Sequence, residues 1–402
     1  MSRRRKRAIT GGETHRDRTP LRILHCPAMV GGNPQGLARA ERELGLESHA
    51  VSLVKTWPWY ETVEALVESG AGIARIELAR WKLLRRAFRD YDVIHFNAGK
   101  SIMPMRVWKH PEMPRRRSLL NTIARRLYNL YAGLLELRDV RWLKRAGKGI
   151  AVTFQGSDAR QGDFCRDRFE VNAARGEGAA LFPPGEDLIK RRRIRKFAEN
   201  ADCIYALNPD LLHVLPDGAK FLPYSHIDMR EWTPVRGPAD ANEPRLVVHA
   251  PSRQGIKGTR FIRDAVERLQ TEGFPLEFVL AEELPHVQVM DLFARADLII
   301  DQLLIGWYGA VAVEGMALGK PVICYIREGD LHFIPSQMRE QLPIINANPE
   351  TVYDVLRQWI LAPQEELIRR GEQGRAYVEA WHDPLKAAEQ LKLDYEAMTR
   401  EP

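Results

Sequence analysis

Cysteine is scarce, and the four present (Cys26, Cys165, Cys203, Cys324) stand far apart. No C-x-x-C pair and no histidine cluster at zinc spacing accompanies them. That argues against a disulfide framework and a structural metal, and for a reducing compartment. No run of about 18 apolar residues occurs, so no membrane-spanning helix is expected. The basic residues near Met1 lead into Thr10-Gly11-Gly12-Glu13 and lack the apolar stretch of a signal peptide. A cytoplasmic protein is therefore expected, with no metal ligands and no cofactor. A G-x-G-x-x-G fingerprint is missing too, and no acidic residue closes the second strand, which disfavours a nicotinamide enzyme.

What is present is ordinary globular chemistry. The 402 residues, 45% hydrophobic and 28% charged, suffice for two domains that each bury a core. The net charge of +7 is unevenly placed. Residues 71–145 hold eighteen Lys/Arg against six Asp/Glu, and residues 1–20 hold seven against two. Such a block suits an anionic surface: phospholipid head groups, a lipid-linked pyrophosphate or nucleic acid. The alternative is a solvated helix face. No nucleic-acid reader motif accompanies the block, so nucleic acid is not an expected partner.

Strand and helix patterns alternate along the chain, which implies α/β architecture with parallel sheets covered on both faces. Strands are expected at 21–26, 49–54, 92–96, 149–154, 201–206 and 220–222. After a Pro/Gly-rich connector the pattern restarts with strands at 245–249, 276–281, 298–300 and 321–325. The division reads as a basic tail (1–20), an N-terminal acceptor domain (21–225), a linker (226–244), a C-terminal donor domain (245–383) and a final helix (384–402) returning to the first domain. Two Rossmann-like, doubly wound domains would face each other across a cleft, and ligands bind at such strand ends. Leu119, Leu120, Ile123, Leu127, Leu130 and Leu134 form one apolar stripe at helical spacing. The stripe is expected to pack on the sheet; a basic amphipathic helix lying on an anionic membrane is the alternative.

Four segments carry candidate chemistry. In Asp297–Tyr325 a strand ends at Asp301, and a turn through Gly306 and Gly309 opens a helix bearing Glu314. Free N–H groups at that helix start suit phosphate, and a carboxylate inside it suits ribose hydroxyls. The alternative is a solvated Glu314. The turn holding Arg253 and Lys257 offers two cations to a leaving diphosphate without a metal, or is merely two solvated turn cations. Thr153–Arg160 follows a strand and places Gln155, Asp158 and Arg160 at the cleft edge. Asp158 either contacts sugar or caps its own turn, and Gln155 can hydrogen-bond a hydroxyl but cannot act as a base. Gly31-Gly32-Asn33 follows the first strand. His286 stands at a helix start, and His25, His95 and His249 read as core histidines.

The run Ala312-Val313-Glu314-Gly315-Met316-Ala317-Leu318-Gly319-Lys320-Pro321-Val322-Ile323 resembles the donor-binding helix of retaining GT-B glycosyltransferases of family 4. That resemblance implies Glu314 as the ribose carboxylate, Arg253 and Lys257 on the diphosphate, and Gly32, Gly306, Gly309 and His286 around the donor. It also implies an acceptor or sugar near Gln155, Asp158 and Arg160, with Arg253, Lys257 and Asp158 as the catalytic set. The family usually carries a second glutamate near the sugar where this chain has Gly306, and a histidine where it has Gln155. Asp301 or Gln302 is the expected substitute for that glutamate. The implied donor is a UDP- or GDP-sugar, the acceptor lipid-linked or a saccharide, and the setting cell-surface polysaccharide or glycolipid synthesis at the inner membrane face. The rivals are a nucleotide-sugar 2-epimerase on the same fold and a catalytically degenerate binding protein.

Overall fold

The computed structural model describes residues 20–55, 64–106, 119–234 and 243–400. The expected basic tail, part of the connector and part of the basic block lie outside these residues.

Strands β1 (Arg22–Cys26), β2 (Glu47–Val54), β3 (Glu64–Val67), β4 (Val93–Asn97), β5 (Gly149–Phe154), β6 (Cys203–Ala206) and β7 (Lys220–Phe221) form the first sheet. Its order is β3-β2-β1-β4-β5-β6-β7. The second sheet takes β8 (Arg245–His249), β9 (Leu276–Leu280), β10 (Leu298–Ile300), β11 (Val322–Cys324) and β12 (Ile345–Asn346), in the order β12-β11-β10-β8-β9. Every pairing is parallel. β4 and β5 are buried along their whole length, as strands covered on both faces must be. The edge strands β3 and β12 were not expected. Both are short and only partly apolar, so their sequences carry little periodicity.

The first lobe holds α1 (Asn33–Glu43), α2 (Ile73–Asp90), α3 (Leu119–Leu135), α4 (Arg138–Arg145), α5 (Gly162–Arg168) and α6 (Glu186–Ala198). The second holds α7 (Gln254–Lys257), α8 (Thr259–Thr271), α9 (His286–Arg295), α10 (Ala310–Ala317), α11 (Ser336–Glu340), α12 (Val352–Ile360) and α13 (Gln364–Trp381). α14 (Pro384–Arg400) crosses back onto the first lobe, where Leu391 and Tyr395 join Ile23, Leu37 and Val93 in one apolar cluster. None of these helices is long and apolar enough to cross a membrane.

Leu24, Ile94, Phe96, Val152, Phe154 and Phe197 form the core on the other face of the first sheet. Each such side chain, fully buried, contributes about 1.5–3 kcal/mol. The described part of the connector is packed rather than loose. Ile227 is buried in the second lobe's core beside Trp307 and Met316, and α1 rests on Ser225. A Cβ on Gly36 would stand 1.8 Å from the Ser225 carbonyl oxygen, so only glycine permits that approach.

One expectation fails. The described part of the α3 stripe does not pack on the sheet, because Ile123, Leu127, Leu130 and Leu134 are all exposed; the side chains of Leu119 and Leu120 lie outside the described residues. α3 lies against α2 instead, with Tyr128 and Tyr131 donating to Glu77 at 3.0 and 2.9 Å. Sequence periodicity marks an apolar face but does not say what covers it.

Candidate active site

α10 is apolar almost all round, and Ala312 through Ala317 are buried without a break. Glu314 is the one acid in it and is 4% exposed, which removes the reading of a solvated helix residue. A carboxylate so placed must be paired. His286 Nε2 lies 3.2 Å away and His226 Nε2 3.5 Å away. Burial alone would raise the Glu314 carboxyl, but the two imidazoles outweigh it and bring it down to about 2. The same hydrogen bond to Glu314 raises His286 above its ordinary value. His226 escaped sequence reasoning. Its only signal was its place just after the last strand of the first sheet.

Lys257 closes α7 and reaches Asp301 at the end of β10, Nζ to Oδ1 2.6 Å. The other Asp301 oxygen accepts the Gly309 N–H at the start of α10, 2.5 Å away. A Cβ on Gly309 would lie 3.2 Å from Lys257 Nζ, so a bare backbone keeps the lysine close to the helix start. The aspartate thus holds the cation and the positive end of the helix together. Arg253, at the N-terminus of α7, is exposed. His249 is satisfied as expected, with Nδ1 on the Ile300 carbonyl at 2.8 Å and Nε2 on Thr259 at 2.9 Å. Burial pushes it down to about 4.

Gly306 sits at φ +89°, and a Cβ there would meet the Arg327 guanidinium at 2.6 Å. The Arg327 guanidinium stands over the Phe169 ring, 3.6 Å from its centre, pairs with Asp330 at 2.9 Å and donates to the Val171 carbonyl at 3.1 Å. An arginine bridging to the first lobe therefore occupies the space of the missing glutamate. Neither expected substitute is free. Asp301 is engaged as described, and the Gln302 amide donates to the Trp307 carbonyl.

Across the cleft, Gly31 and Gly32 take φ +60° and +72° ahead of α1. The Asp158 carboxylate accepts N–H bonds from Gln155 (3.0 Å) and Gly156 (2.6 Å). It caps its own turn, the alternative that the sequence left open for it. Arg160 has a partner as well. It is buried and forms a two-pronged pair with Asp210 at 2.6 and 2.9 Å, which holds it well above its ordinary value. Neither partner was visible in the sequence, because local pattern does not record what pairs with a charge. Gln155 is different. Its carbonyl accepts Asn208 at 2.5 Å, while its side-chain Nε2 is buried with no partner. Asn208 in turn accepts the Tyr224 hydroxyl at 3.3 Å.

The structure thus gathers Lys257, Gly309, Glu314 and His286 on the second lobe, and Gly32 and Gln155 on the strand ends of the first. Asp158 and Arg160 follow the same strand as Gln155, with their charges engaged by the Gln155 and Gly156 N–H groups and by Asp210. The lobes also meet where His213 Nε2 lies 2.8 Å from Asp330 and where Leu304 and Ile305 join Phe169 and Ala174 in an apolar cluster.

No family model and no curated protein matches the chain. Solved structures do. Sucrose-phosphate synthase from Thermosynechococcus elongatus superposes with a TM-score of 0.54 at 17% identity, over 95% of this chain and 99% of that one. Anabaena HepE in complex with UDP-glucose gives 0.54 at 12% identity, over 93% and 99%. The catalytic domain of starch synthase IV from Arabidopsis thaliana, bound to ADP and acarbose, gives 0.53 at 13% identity, over 95% and 100%. This chain has the GT-B fold. At such identities the likeness is one of fold. Glu314, Lys257 and Gln155 stand on the loops and helices that follow β10, β8 and β5, the strand ends at which open parallel sheets bind ligands.

Proposed function

We propose that this protein is a glycosyltransferase that moves a sugar from a nucleotide diphosphate, UDP or GDP, to an acceptor. Buried Glu314 carries the proposal. An ionised carboxylate inside a helix, reached by two imidazoles at a cleft, is an acceptor site for vicinal hydroxyls such as those of ribose. The solved relatives in fold that hold UDP-glucose or ADP support the reading. On this reading Arg253 and Lys257 take the diphosphate, and the α10 start at Gly309 adds backbone N–H groups. Lys257 would move between Asp301 and the ligand, so the positive charge is in place before the donor arrives. Gly32 approaches the phosphates from the first lobe, and Gln155 offers its unpartnered Nε2 to a sugar or acceptor hydroxyl. The reaction is proposed to be retaining and metal-independent, with the departing phosphate taking the acceptor proton. Closure of the lobes would keep water from the sugar. The acceptor is lipid-linked or a saccharide, in cell-surface polysaccharide or glycolipid assembly on the cytoplasmic face.

One observation favours a second reading. Arg327 over Gly306 fills the space of the glutamate that the resembled family carries near the sugar, which suits a protein that binds nucleotide sugar without turnover.

Calorimetry with UDP and GDP, followed by a donor panel with product analysis by NMR, separates the two. Transfer with the donor anomer kept is the expected result. Tight nucleotide binding without turnover across the panel would establish the second reading. If Glu314→Gln binds nucleotide as tightly as the parent, the site assignment fails. A loss of about tenfold or more is expected for a hydrogen bond to a charged group.

A further inference from the structure

We infer that the outer face formed by α2 and α3 docks on an anionic lipid bilayer. Ile123, Leu127, Leu130 and Leu134 follow one another at four-, three- and four-residue steps and are 47%, 63%, 64% and 56% exposed. Leu78 and Trp81 on α2 are exposed beside them. Soluble surfaces scatter such residues singly; a continuous stripe marks an interaction face. Glu77 fixes the two helices as one surface, since it accepts Tyr128, Tyr131 and Arg80 at 3.0, 2.9 and 3.0 Å. Burial and the bond to Glu77 raise the Tyr128 phenol to about 12, so these contacts persist across the physiological range. Among the described residues, α3 reaches the core at its end, where Ala132 is buried and Leu135 packs on the first sheet's cluster.

Charge selects the occupant. Arg75, Lys82, Arg85 and Arg126 are exposed on the same two helices. Their acids among the described residues are both engaged: Glu77 as above, and Asp90 with Arg89 at 2.7 Å. A leucine stripe flanked by cations, without a free acid, is the composition that seats at an anionic lipid interface. A second copy fits poorly, because a two-fold contact would set these cations against themselves. Docking here would bring the first lobe to the bilayer and supply the acceptor from it. That last clause rests on the transferase reading; the docking does not.

The test is co-sedimentation of the full chain with vesicles of equal parts phosphatidylcholine and phosphatidylglycerol, against phosphatidylcholine alone. The expected result is binding to the anionic vesicles at least about tenfold tighter than to the neutral ones, weakening with salt. Leu127→Asp with Leu130→Asp should weaken it about tenfold or more, with melting temperature and UDP affinity unchanged because both side chains are exposed. Lys82→Glu with Arg85→Glu should abolish the preference for anionic lipid. The proposal is overturned if the parent ignores anionic vesicles, or if the double aspartate variant binds them equally. A parent dimer that the aspartates dissociate would also overturn it, by showing that a second copy covers the face. Vesicle binding without any nucleotide binding would support the surface and count against the transferase.

Discussion

Lys257 shows how one side chain serves both fold and site. Its partner Asp301 is 1% exposed, so Lys257→Ala strands a buried carboxylate. Loss of one partner of such a pair costs about 3–5 kcal/mol. Thermal melting should fall by many degrees, and nucleotide affinity with it. Lys257→Met combined with Asp301→Asn removes both charges; it should regain most of the melting temperature while leaving nucleotide affinity low. A double variant that also regains affinity would show that the lysine has no part in binding. Gly306 is a second case. Gly306→Glu restores the residue that the resembled family carries, yet the backbone at φ +89° costs a side chain about 1–2 kcal/mol, and Arg327 stands in its way. Lower stability with no gain in turnover is expected, measured by calorimetric melting and donor consumption. A gain in turnover would mean that Arg327 can yield its place.

Among the elements, α14 is held by more than apolar contact. Tyr395 donates to Glu41 at 3.2 Å and meets His95 Nδ1 at 2.6 Å, while His95 Nε2 meets Thr153 at 2.6 Å. Glu41 also takes His25 at 2.9 Å and Ser48 at 2.5 Å. With Tyr395 giving its proton to Glu41, His95 donates from Nδ1 and accepts the Thr153 hydroxyl at Nε2. All of these groups are buried. Tyr395→Phe therefore leaves a buried carboxylate and an imidazole each short of a partner, at a cost of about 1–3 kcal/mol. Urea unfolding should show that loss, and an unchanged midpoint would dismiss the network as a stabiliser of the crossing helix. The pattern of α3 illustrates the opposite limit. Its stripe was legible at three- and four-residue steps, but its exposure depended on α2 offering Glu77 to one side and nothing to the other.

At the scale of the whole molecule, buried histidines set the pH response. Burial holds His95 well below its ordinary value, His249 at about 4 and His382 at about 3. Each stays neutral in the folded chain where the unfolded chain, at about 6.5, already binds a proton. The unfolded state then holds more protons, so stability rises with pH. The contribution is full above about pH 6.5 and is lost as the pH falls toward the folded values. For His249 alone the loss at pH 5 is about 2 kcal/mol. The raised His286 works the other way, and stabilises from low pH until its folded value is passed. Three against one predicts a melting temperature that drops between pH 7 and pH 5, and a flat profile there would show that these imidazoles are hydrated.

The sequence by itself determined the alternation of strand and helix, the two parallel sheets, the helix that carries Glu314 and the loop that carries Lys257. These rest on local periodicity and turn chemistry, which neighbouring residues encode. Tertiary structure alone decided which charges remain available. Asp158 is used up by its own turn and Arg160 by Asp210, while Glu314 is held by His226 and His286, from positions 88 and 28 residues earlier in the chain. Burial and pairing of a charge depend on what arrives from distant segments, and no local pattern records that.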